Sequence, residues 1–332
     1  MDNNHLRWGI LSTAKIGVEK VIPAMQQGQY SKITAIASRD PERAREVAQS
    51  LNIKEAYGSY EELLASPEVD AIYNPLPNHL HVSWSIKALQ AGKHVLCEKP
   101  LGLNLEDARK LASEASKHPD LNVMEAFMYR HHPRWVRARE LVKEGAVGKV
   151  QTIRSFFSYY NDDPDNIRNK PGIGGGGLMD IGCYCISVPR FLFDEEPDSV
   201  FGTMEMDPEL GIDRLTSGIL AFPGGTATFT CATQLAPHQS VRILGTEGKM
   251  EIAMPFNAPV DTPTTILLTR GDQQQEIRFE PCNQYTAQGD LFSKAVLDGD
   301  SVPTPLNDAL ANMKTIDAVV QSHNEGCWVD ID

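Results

Sequence analysis

The heptad His94-Val95-Leu96-Cys97-Glu98-Lys99-Pro100 sets an apolar run directly against a carboxylate, an ammonium and a proline. His94 to Cys97 reads as the tail of a buried parallel strand, which puts Glu98 and Lys99 just past its carboxyl end. Ligands of open α/β sheets bind at that edge. A lysine there gives up part of its hydration, and burial lowers the pKa of an ammonium toward values useful for proton transfer, while an adjacent carboxylate opposes the shift. Pro100 fixes the backbone after Lys99, and a cis Lys99-Pro100 bond would aim the lysine. The competing reading is a strand-end ion pair followed by a turn.

A second pair, Asp180 and Tyr184, lies four residues apart after the run Gly174-Gly175-Gly176-Gly177. Leu178 to Tyr184 reads as a helix, on which positions four apart share a face. A carboxylate and a phenol presented together can orient a hydroxyl and relay its proton. The competing reading keeps Asp180 near the helix start for its dipole and Tyr184 in the core.

The elements that must position Lys99 alternate strand and helix over the first 125 or so residues. Leu6 to Leu11 is a short buried strand running into Ser12-Thr13-Ala14-Lys15-Ile16-Gly17 and a helical pattern from Val18 to Gln27. Strand, small-residue turn and helix form the setting of a dinucleotide loop, with Ser12, Ala14 and Gly17 in the three glycine positions of G-x-G-x-x-G. Small residues let the backbone approach a pyrophosphate and the helix start offers N–H donors, so Ser12, Thr13, Ala14, Lys15 and Ile16 are candidate cofactor residues. An ordinary βα turn is the other reading. The next strand ends in Ser38-Arg39, where an NAD site carries Asp or Glu for the ribose 2′-hydroxyl. A small hydroxyl with the guanidinium of Arg39, and Arg43 one turn on, suits a 2′-phosphate. NADP(H) is therefore the preferred cofactor and NAD(H) the alternative, with Asp40 reading as an N-cap before Pro41. Asp70 to Asn74 is a strand opening into Pro75-Leu76-Pro77-Asn78-His79, which places Pro75, Leu76, Asn78 and His79 on the same edge as Lys99. Asn78 reads as the cap of a helix from His79 to Ala91. His79 and His81, two apart, do not share a helix face and are not read as metal ligands.

From Lys149 the pattern changes. Val150 to Tyr160 alternates as a strand, and stretches near 200–206, 215–222, 226–233, 241–245, 249–254, 265–270 and 275–280 follow, with Pro223-Gly224-Gly225 as a hairpin turn. The expected fold class is α/β. An N-terminal Rossmann, doubly wound parallel sheet is followed by a C-terminal α+β domain with a large, open-faced, predominantly antiparallel sheet. The seam divides residues 1–147, a dinucleotide-binding domain, from 148–332, a substrate-binding and oligomerisation domain, whose last helices are positioned to pack back on the first. Substrate choice falls to loops such as Tyr159 to Asn169 and Asn283-Gln284-Tyr285, making Tyr160 and Tyr285 candidate substrate contacts. An uncovered apolar sheet face is rarely left to water, so a homodimer or homotetramer through that sheet is expected.

Composition limits the remaining classes. With 31 basic against 44 acidic residues the net charge is −13, which argues against a nucleic-acid footprint, since that needs a clustered basic face. No apolar run approaches bilayer length, and Met1-Asp2-Asn3-Asn4-His5 lacks the basic and apolar regions of a signal peptide. The six cysteines show no C-x-x-C spacing, so no metal site is expected, and reduced thiols in a cytoplasm are the default.

Together these stretches resemble the family of glucose-fructose oxidoreductase, inositol dehydrogenase and rhizopine-catabolism (Gfo/Idh/MocA) oxidoreductases. The resemblance spans nearly the whole chain. It is carried by the cofactor loop, by Glu98-Lys99-Pro100, and by a G-G-x-x-x-D-x-x-x-H/Y pattern met by Gly175-Gly176, Asp180 and Tyr184. Tyrosine in the last position and Met124-Glu125-Ala126-Phe127-Met128-Tyr129-Arg130 resemble the branch of dimeric dihydrodiol dehydrogenase and NADP-dependent D-xylose dehydrogenases. The resemblance implies hydride transfer at sugar or cyclitol carbons. It implies Lys99 as the catalytic lysine, Asp180 as the substrate-orienting carboxylate, Tyr184 as proton donor or acceptor, and Arg168 near the nicotinamide. Glu98 belongs to the same cofactor edge. Ser12 and Ala14 depart from the glycines of the family loop. The expected activity is an NADP-dependent aldose or cyclic-polyol dehydrogenase of the D-xylose type. The rivals are a keto-sugar or trans-dihydrodiol oxidoreductase with the same site and a non-catalytic NADP-sensing regulator, the latter disfavoured by the joint presence of Lys99, Asp180 and Tyr184.

Overall fold

The computed structural model describes residues 4–331; Met1, Asp2 and Asn3 of the leader reading, and Asp332, lie outside the described residues. The chain divides into two compact units, one formed by residues up to Met128 together with Asn283–Leu310, the other by Tyr129–Cys282 together with the residues from Ala311 onward.

The first unit holds β1 (Leu6–Leu11), β2 (Ser31–Ala37), β3 (Glu55–Tyr57), β4 (Ala71–Asn74), β5 (His94–Cys97) and β6 (Val123–Glu125). They form one six-stranded sheet in the order β3-β2-β1-β4-β5-β6, parallel throughout. Parallel neighbours need crossovers, and helices such as Pro41–Ser50, Asn78–Gln90 and Leu105–Ala115 supply them. With both faces covered, the strands read as near-continuous apolar runs, and Trp8, Ile10, Tyr73, Leu96 and Met124 are fully buried. The strand order reverses direction between β1 and β4, so the loops after these two strands diverge and leave a crevice at the carboxyl edge. A helix from the far end of the chain, Gln284–Asp298, completes this core. Its Phe292 ring lies 5.1 Å from Trp8, and the Trp8 indole N–H donates to Ser293 Oγ at 3.0 Å.

The second unit holds β7 (Val150–Tyr160), β8 (Ser199–Met206), β9 (Asp213–Phe222), β10 (Gly225–Ala232), β11 (Gln234–Gly245), β12 (Lys249–Ala253), β13 (Thr264–Arg270), β14 (Gln273–Phe279) and β15 (Val329–Asp330). They pair in the order β14-β13-β12-β11-β7-β10-β9-β8-β15. Every pairing is antiparallel except β7 with β10. Ile153, Ala227 and Leu220 align across β7, β10 and β9 and are buried, on the face to which the helix Cys183–Phe193 packs. One residue along, Arg154, Thr228 and Ile219 face the other way, and Ile219 is 37% exposed. This is the open-faced sheet the sequence leads one to expect. The structure adds β15, two residues long, and starts β11 well before Val241, in a polar stretch that hydrophobic alternation does not mark.

Candidate active site

In the first unit the candidate cofactor residues gather at the carboxyl ends of β1, β2, β4 and β5. Ser12 follows β1 at φ +73°, the left-handed region where glycine is the usual occupant. Its Oγ accepts the Ala14 N–H at 3.2 Å. Serine thus takes the conformation that the first glycine of a dinucleotide loop exists to supply, and secures it with its own side chain. Helical structure starts at residue 15, earlier than Val18, and passes through a π turn at Gly17–Val21. Thr13, Ala14, Lys15 and Ile16 therefore form the loop-to-helix junction itself.

At the end of β2, Ser38 is buried and its Oγ accepts the Asp40 N–H at 3.1 Å. Asp40 Oδ1 accepts the N–H groups of Glu42 at 3.0 Å and Arg43 at 3.2 Å, so this carboxylate is the cap of Pro41–Ser50, as its place before Pro41 indicates. Arg39 is exposed and faces the Tyr60 phenol, whose pKa is raised by burial and held back by the guanidinium. Arg43 is paired with Glu46 at 3.4 Å and is 54% exposed.

After β4, the fully buried Asn74 holds the next loop by accepting the Leu76 N–H at 3.3 Å and donating to the His81 carbonyl at 3.0 Å and Ser85 Oγ at 3.1 Å. Pro75 and Leu76 are buried, Asn78 is half-buried and His79 exposed. The helix starts at Asn78 itself, with Pro77 in the cap position and no side-chain cap, rather than being capped by Asn78. After β5, Lys99-Pro100 is cis. The Glu98 N–H donates to Asn74 O at 3.0 Å, and Glu98 Oε1 accepts the Tyr73 phenol at 2.7 Å. His81 places Nε2 2.6 Å from Leu76 O and Nδ1 2.8 Å from Pro100 O, tying the two loops together. Tyr285 belongs to this unit, packed against its core, and its pKa is raised by burial and by Glu98.

In the second unit Asp180 lies in the first turn of the helical stretch Leu178–Gly182 and is continued by Tyr184 in Cys183–Phe193. Asp180 Oδ1 accepts Arg168 Nε at 3.1 Å and Oδ2 accepts the Tyr159 phenol at 2.6 Å. The Asp180 side chain is only 13% exposed. Its charge raises the pKa of Arg168 further. Burial, then Asp180, drives the Tyr159 phenol far above its ordinary value, so Tyr159 is a permanent donor. Tyr184 is buried, 5.3 Å from Phe256, 5.9 Å from Tyr129 and 6.0 Å from Phe157 between ring centroids. The competing reading describes the placement of this pair, Asp180 at a helix start and Tyr184 in an aromatic cluster, and the carboxylate is in addition bonded to Arg168 and Tyr159.

Tyr160, the expected substrate contact, is 62% exposed and donates to Asp162 at 3.1 Å, away from Asp180. Strand alternation turns its neighbour Tyr159 to the Asp180 side instead, the side of buried Ile153 and Phe157. The sequence marks Tyr159 only as the start of a substrate loop and singles out Tyr160, whereas it is Tyr159 that bonds Asp180. Among the described residues no group of three His, Cys, Asp or Glu side chains is arranged to hold a metal, and no helix is long and apolar enough to cross a membrane.

Comparison with known proteins matches two parts of the chain separately. Residues 6–127 match the model of an oxidoreductase family with an NAD-binding Rossmann fold, and residues 135–251 match the Gfo/Idh/MocA C-terminal domain. An uncharacterised oxidoreductase of Rhizobium meliloti is 43% identical, over 97% of this chain and 98% of that one. D-xylose 1-dehydrogenase (NADP⁺) 2 of Haloferax volcanii is 39% identical, over 98% of this chain and 100% of that one. Among solved structures, a 3-ketoreductase from Actinomadura kijaniata in complex with NADP and TDP-benzene superimposes with a TM-score of 0.90 at 28% identity, covering 96% of this chain and 98% of that one. The chain belongs to the Gfo/Idh/MocA family of oxidoreductases.

Proposed function

We propose that this protein is an NADP-dependent dehydrogenase of an aldose or related cyclic polyol, of the D-xylose type. The observation that carries the reading is the Asp180 carboxylate, fixed by Arg168 and Tyr159 one turn before Tyr184, in a chain whose Rossmann edge presents Lys99. The likeness to a D-xylose dehydrogenase named for NADP⁺ supports the substrate class and the cofactor.

The first unit fits a dinucleotide. Ser12 already holds the left-handed turn, and the helix starting at residue 15 leaves N–H groups for a pyrophosphate. The β2 end offers Ser38 and Arg39 with no free carboxylate, because Asp40 caps a helix. A 2′-phosphate would meet a hydroxyl and a guanidinium there. Ser12 to Ile16, Ser38, Arg39, Pro75, Leu76, Asn78, His79 and Glu98 would hold the cofactor, with Arg43 as an outer cation and Arg168 toward the nicotinamide. Bound NADP(H) supplies the hydride acceptor or donor. In the oxidative direction Tyr184 takes the hydroxyl proton, Lys99 lowers the cost of negative charge on the substrate oxygen and passes the proton on, and Asp180 fixes the hydroxyl. Tyr159 and Arg168 keep the Asp180 oxygens in place. The reading extends to a cytoplasmic protein that forms a homodimer or homotetramer through the open face bearing Arg154, Thr228 and Ile219.

The test is cofactor reduction at 340 nm with NADP⁺ and NAD⁺ against aldoses, inositols and dihydrodiols. Pentose or hexose turnover with NADP⁺ preferred is expected. Lys99→Ala and Tyr184→Phe are each expected to lower kcat by at least about 100-fold, and Arg39→Ala to raise KM for NADP⁺ but not for NAD⁺. Lys99→Ala within a few-fold of wild type would overturn the assignment. A keto-sugar reductase using the same residues in the reverse direction is the second reading, favoured by the structural likeness to a 3-ketoreductase. It predicts oxidation of NADPH by keto-sugars and silence with aldoses.

A further inference from the structure

Asp213, the first residue of β9, is buried, and its carboxylate faces the start of the helix that carries Asp180 and Tyr184. Oδ2 accepts the Leu178 N–H at 2.7 Å and the Thr216 hydroxyl at 2.8 Å, and the Gly177 N–H also donates to this carboxylate. No side chain of the helix's own N-terminal stretch caps it. The cap therefore comes from a strand on the other side of the turn. Gly176 threads the remaining gap. Its φ is +114°, and a Cβ there would lie 2.0 Å from Asp213 Oδ1. The Gly176 N–H donates to Arg168 O at 2.8 Å, and Gly176 O accepts the Asp180 N–H at 3.0 Å. One residue thus joins the backbone of Arg168 to that of Asp180, and the Asp213 carboxylate fills the space where its side chain would be.

We propose that Asp213 is a positioning residue for the reaction: its ionised carboxylate pins the start of the Leu178–Phe193 helical stretch and so sets the placement of Asp180 between Arg168 and Tyr159, and of Tyr184 one turn later. The proposal rests on the functional reading above. Charge matters to the anchor because an anion satisfies two helix N–H groups and the helix dipole together, whereas a neutral acid must find an acceptor for its own proton. Desolvation makes the anion costly and moves Asp213 up to about 6. The titratable groups facing it are Tyr159 from β7 and Cys231 from β10. Both are pushed up by burial and stay neutral in this range. Thr216 on its own strand does not titrate, and Arg214 beside it is paired with Glu205. Below pH 6 the anchor is protonated, and the competence of Asp180 and Tyr184 falls with it.

The test is Asp213→Asn, which keeps the shape and removes the charge. Its kcat at pH 8 is expected to fall at least about ten-fold, its acid limb near pH 6 to disappear, and NADPH affinity by fluorescence titration to stay within about two-fold, since the cofactor residues of β1 and β2 are untouched. Amide exchange in the peptide 174–182 is expected to quicken. Thr216→Val is the milder variant. It removes a hydrogen bond to the ionised form, so it should raise the Asp213 pKa and shift the acid limb to higher pH with kcat at pH 8 retained. A wild type that turns over while Asp213→Asn keeps kcat within about two-fold and keeps its acid limb overturns the positioning role. An unmoved limb in Thr216→Val overturns it too, even if Asp213→Asn fails to fold. A wild type silent on every substrate overturns the functional reading instead, and in that event unchanged exchange at 174–182 overturns the anchor separately.

Discussion

Removing one phenolic oxygen from Tyr159 tests how the second unit holds Asp180. The Tyr159 hydroxyl donates to Asp180 Oδ2 at 2.6 Å, and Asp180 is 13% exposed, so water has little room to replace the lost donor. A hydrogen bond to a charged acceptor contributes about 1.5–3 kcal/mol, and losing one partner leaves the buried acceptor short of that amount. Expressed fully in the transition state, this is roughly a 10- to 150-fold loss in kcat/KM. The control is built into the strand. Tyr160→Phe removes a bond to Asp162 from a residue that is 62% exposed, and an exposed contact of that kind contributes about 0.5 kcal/mol or less. The assay is steady-state reduction of NADP⁺ for the two variants and wild type, with Tm recorded for each. Tyr159→Phe should lose activity in the stated range, mostly in kcat, and Tyr160→Phe should stay within about two-fold. Equal effects of the two substitutions, or a Tyr159→Phe loss under two-fold, would refute the reasoning that Asp180 must be held to act.

Gly176→Ala forces a side chain into a backbone conformation with φ +114° and against the Asp213 carboxylate, and should cost about 3 kcal/mol or more, read as a Tm lower by about 5 °C or more. Asp40→Ala should cost about 1 kcal/mol through the lost cap of Pro41–Ser50 and leave the dissociation constant for NADPH within about two-fold; a large loss of affinity would instead assign Asp40 to the ribose. Burial lowers His81, His131 and His132 each to about 4, against about 6.5 in the unfolded chain. Their folded pKa values are depressed, so the unfolded chain binds three protons that the native chain refuses as pH falls from about 6.5 toward 4, and stability falls with pH. His94, also lowered by burial, acts in the same direction, and Asp213, raised to about 6, opposes them in part, so stability is expected to decline from pH 7 to pH 5.5. Urea midpoints at pH 7 and pH 5.5 measure this, and equal midpoints would contradict it.

The parallel sheet was legible because its marks are local: apolar runs of strand length, each followed by a helix start and a small-residue turn. The cis bond at Lys99-Pro100 and the cap at Asp40 were legible for the same reason, being set by a proline and its neighbours. The bond from Tyr159 to Asp180 was not legible, although Tyr159 is one residue from Tyr160. Along β7 both faces carry apolar and polar members, Ile153, Ser155 and Phe157 on one and Phe156 and Ser158 on the other. Alternation therefore does not reveal which face meets the helix. That is decided by pairing with β10 and β11, which is set by residues some 75 positions away. The Asn78 cap failed for a different reason: the proline before it already supplies the extended backbone at which the helix starts.

Asp213 shows why long-range anchors escape a reading by motif. In sequence it follows Gly211-Ile212 and looks like the close of an ordinary turn. Its function in the fold depends on a glycine 37 positions earlier that must lack a side chain for the carboxylate to fit. The same logic runs through the rest of the second unit. Arg134 has its guanidinium on the carbonyls of Ala253 at 2.9 Å and Met254 at 2.7 Å, and the Trp135 indole takes Pro255 O at 2.8 Å. These bonds hold the turn that lays Phe256 beside Tyr184. The helix is thus fixed along its axis by a buried anion and sideways by rings whose loop is fixed by a buried cation. Burying Asp213 and Arg134 costs desolvation, visible as a raised acid and an arginine lowered to about 10. Well-packed apolar residues could make a more stable wall. What they could not supply is directional bonds that hold a carboxylate and a phenol to the tolerance that proton transfer demands. The cost therefore falls where the candidate chemistry lies.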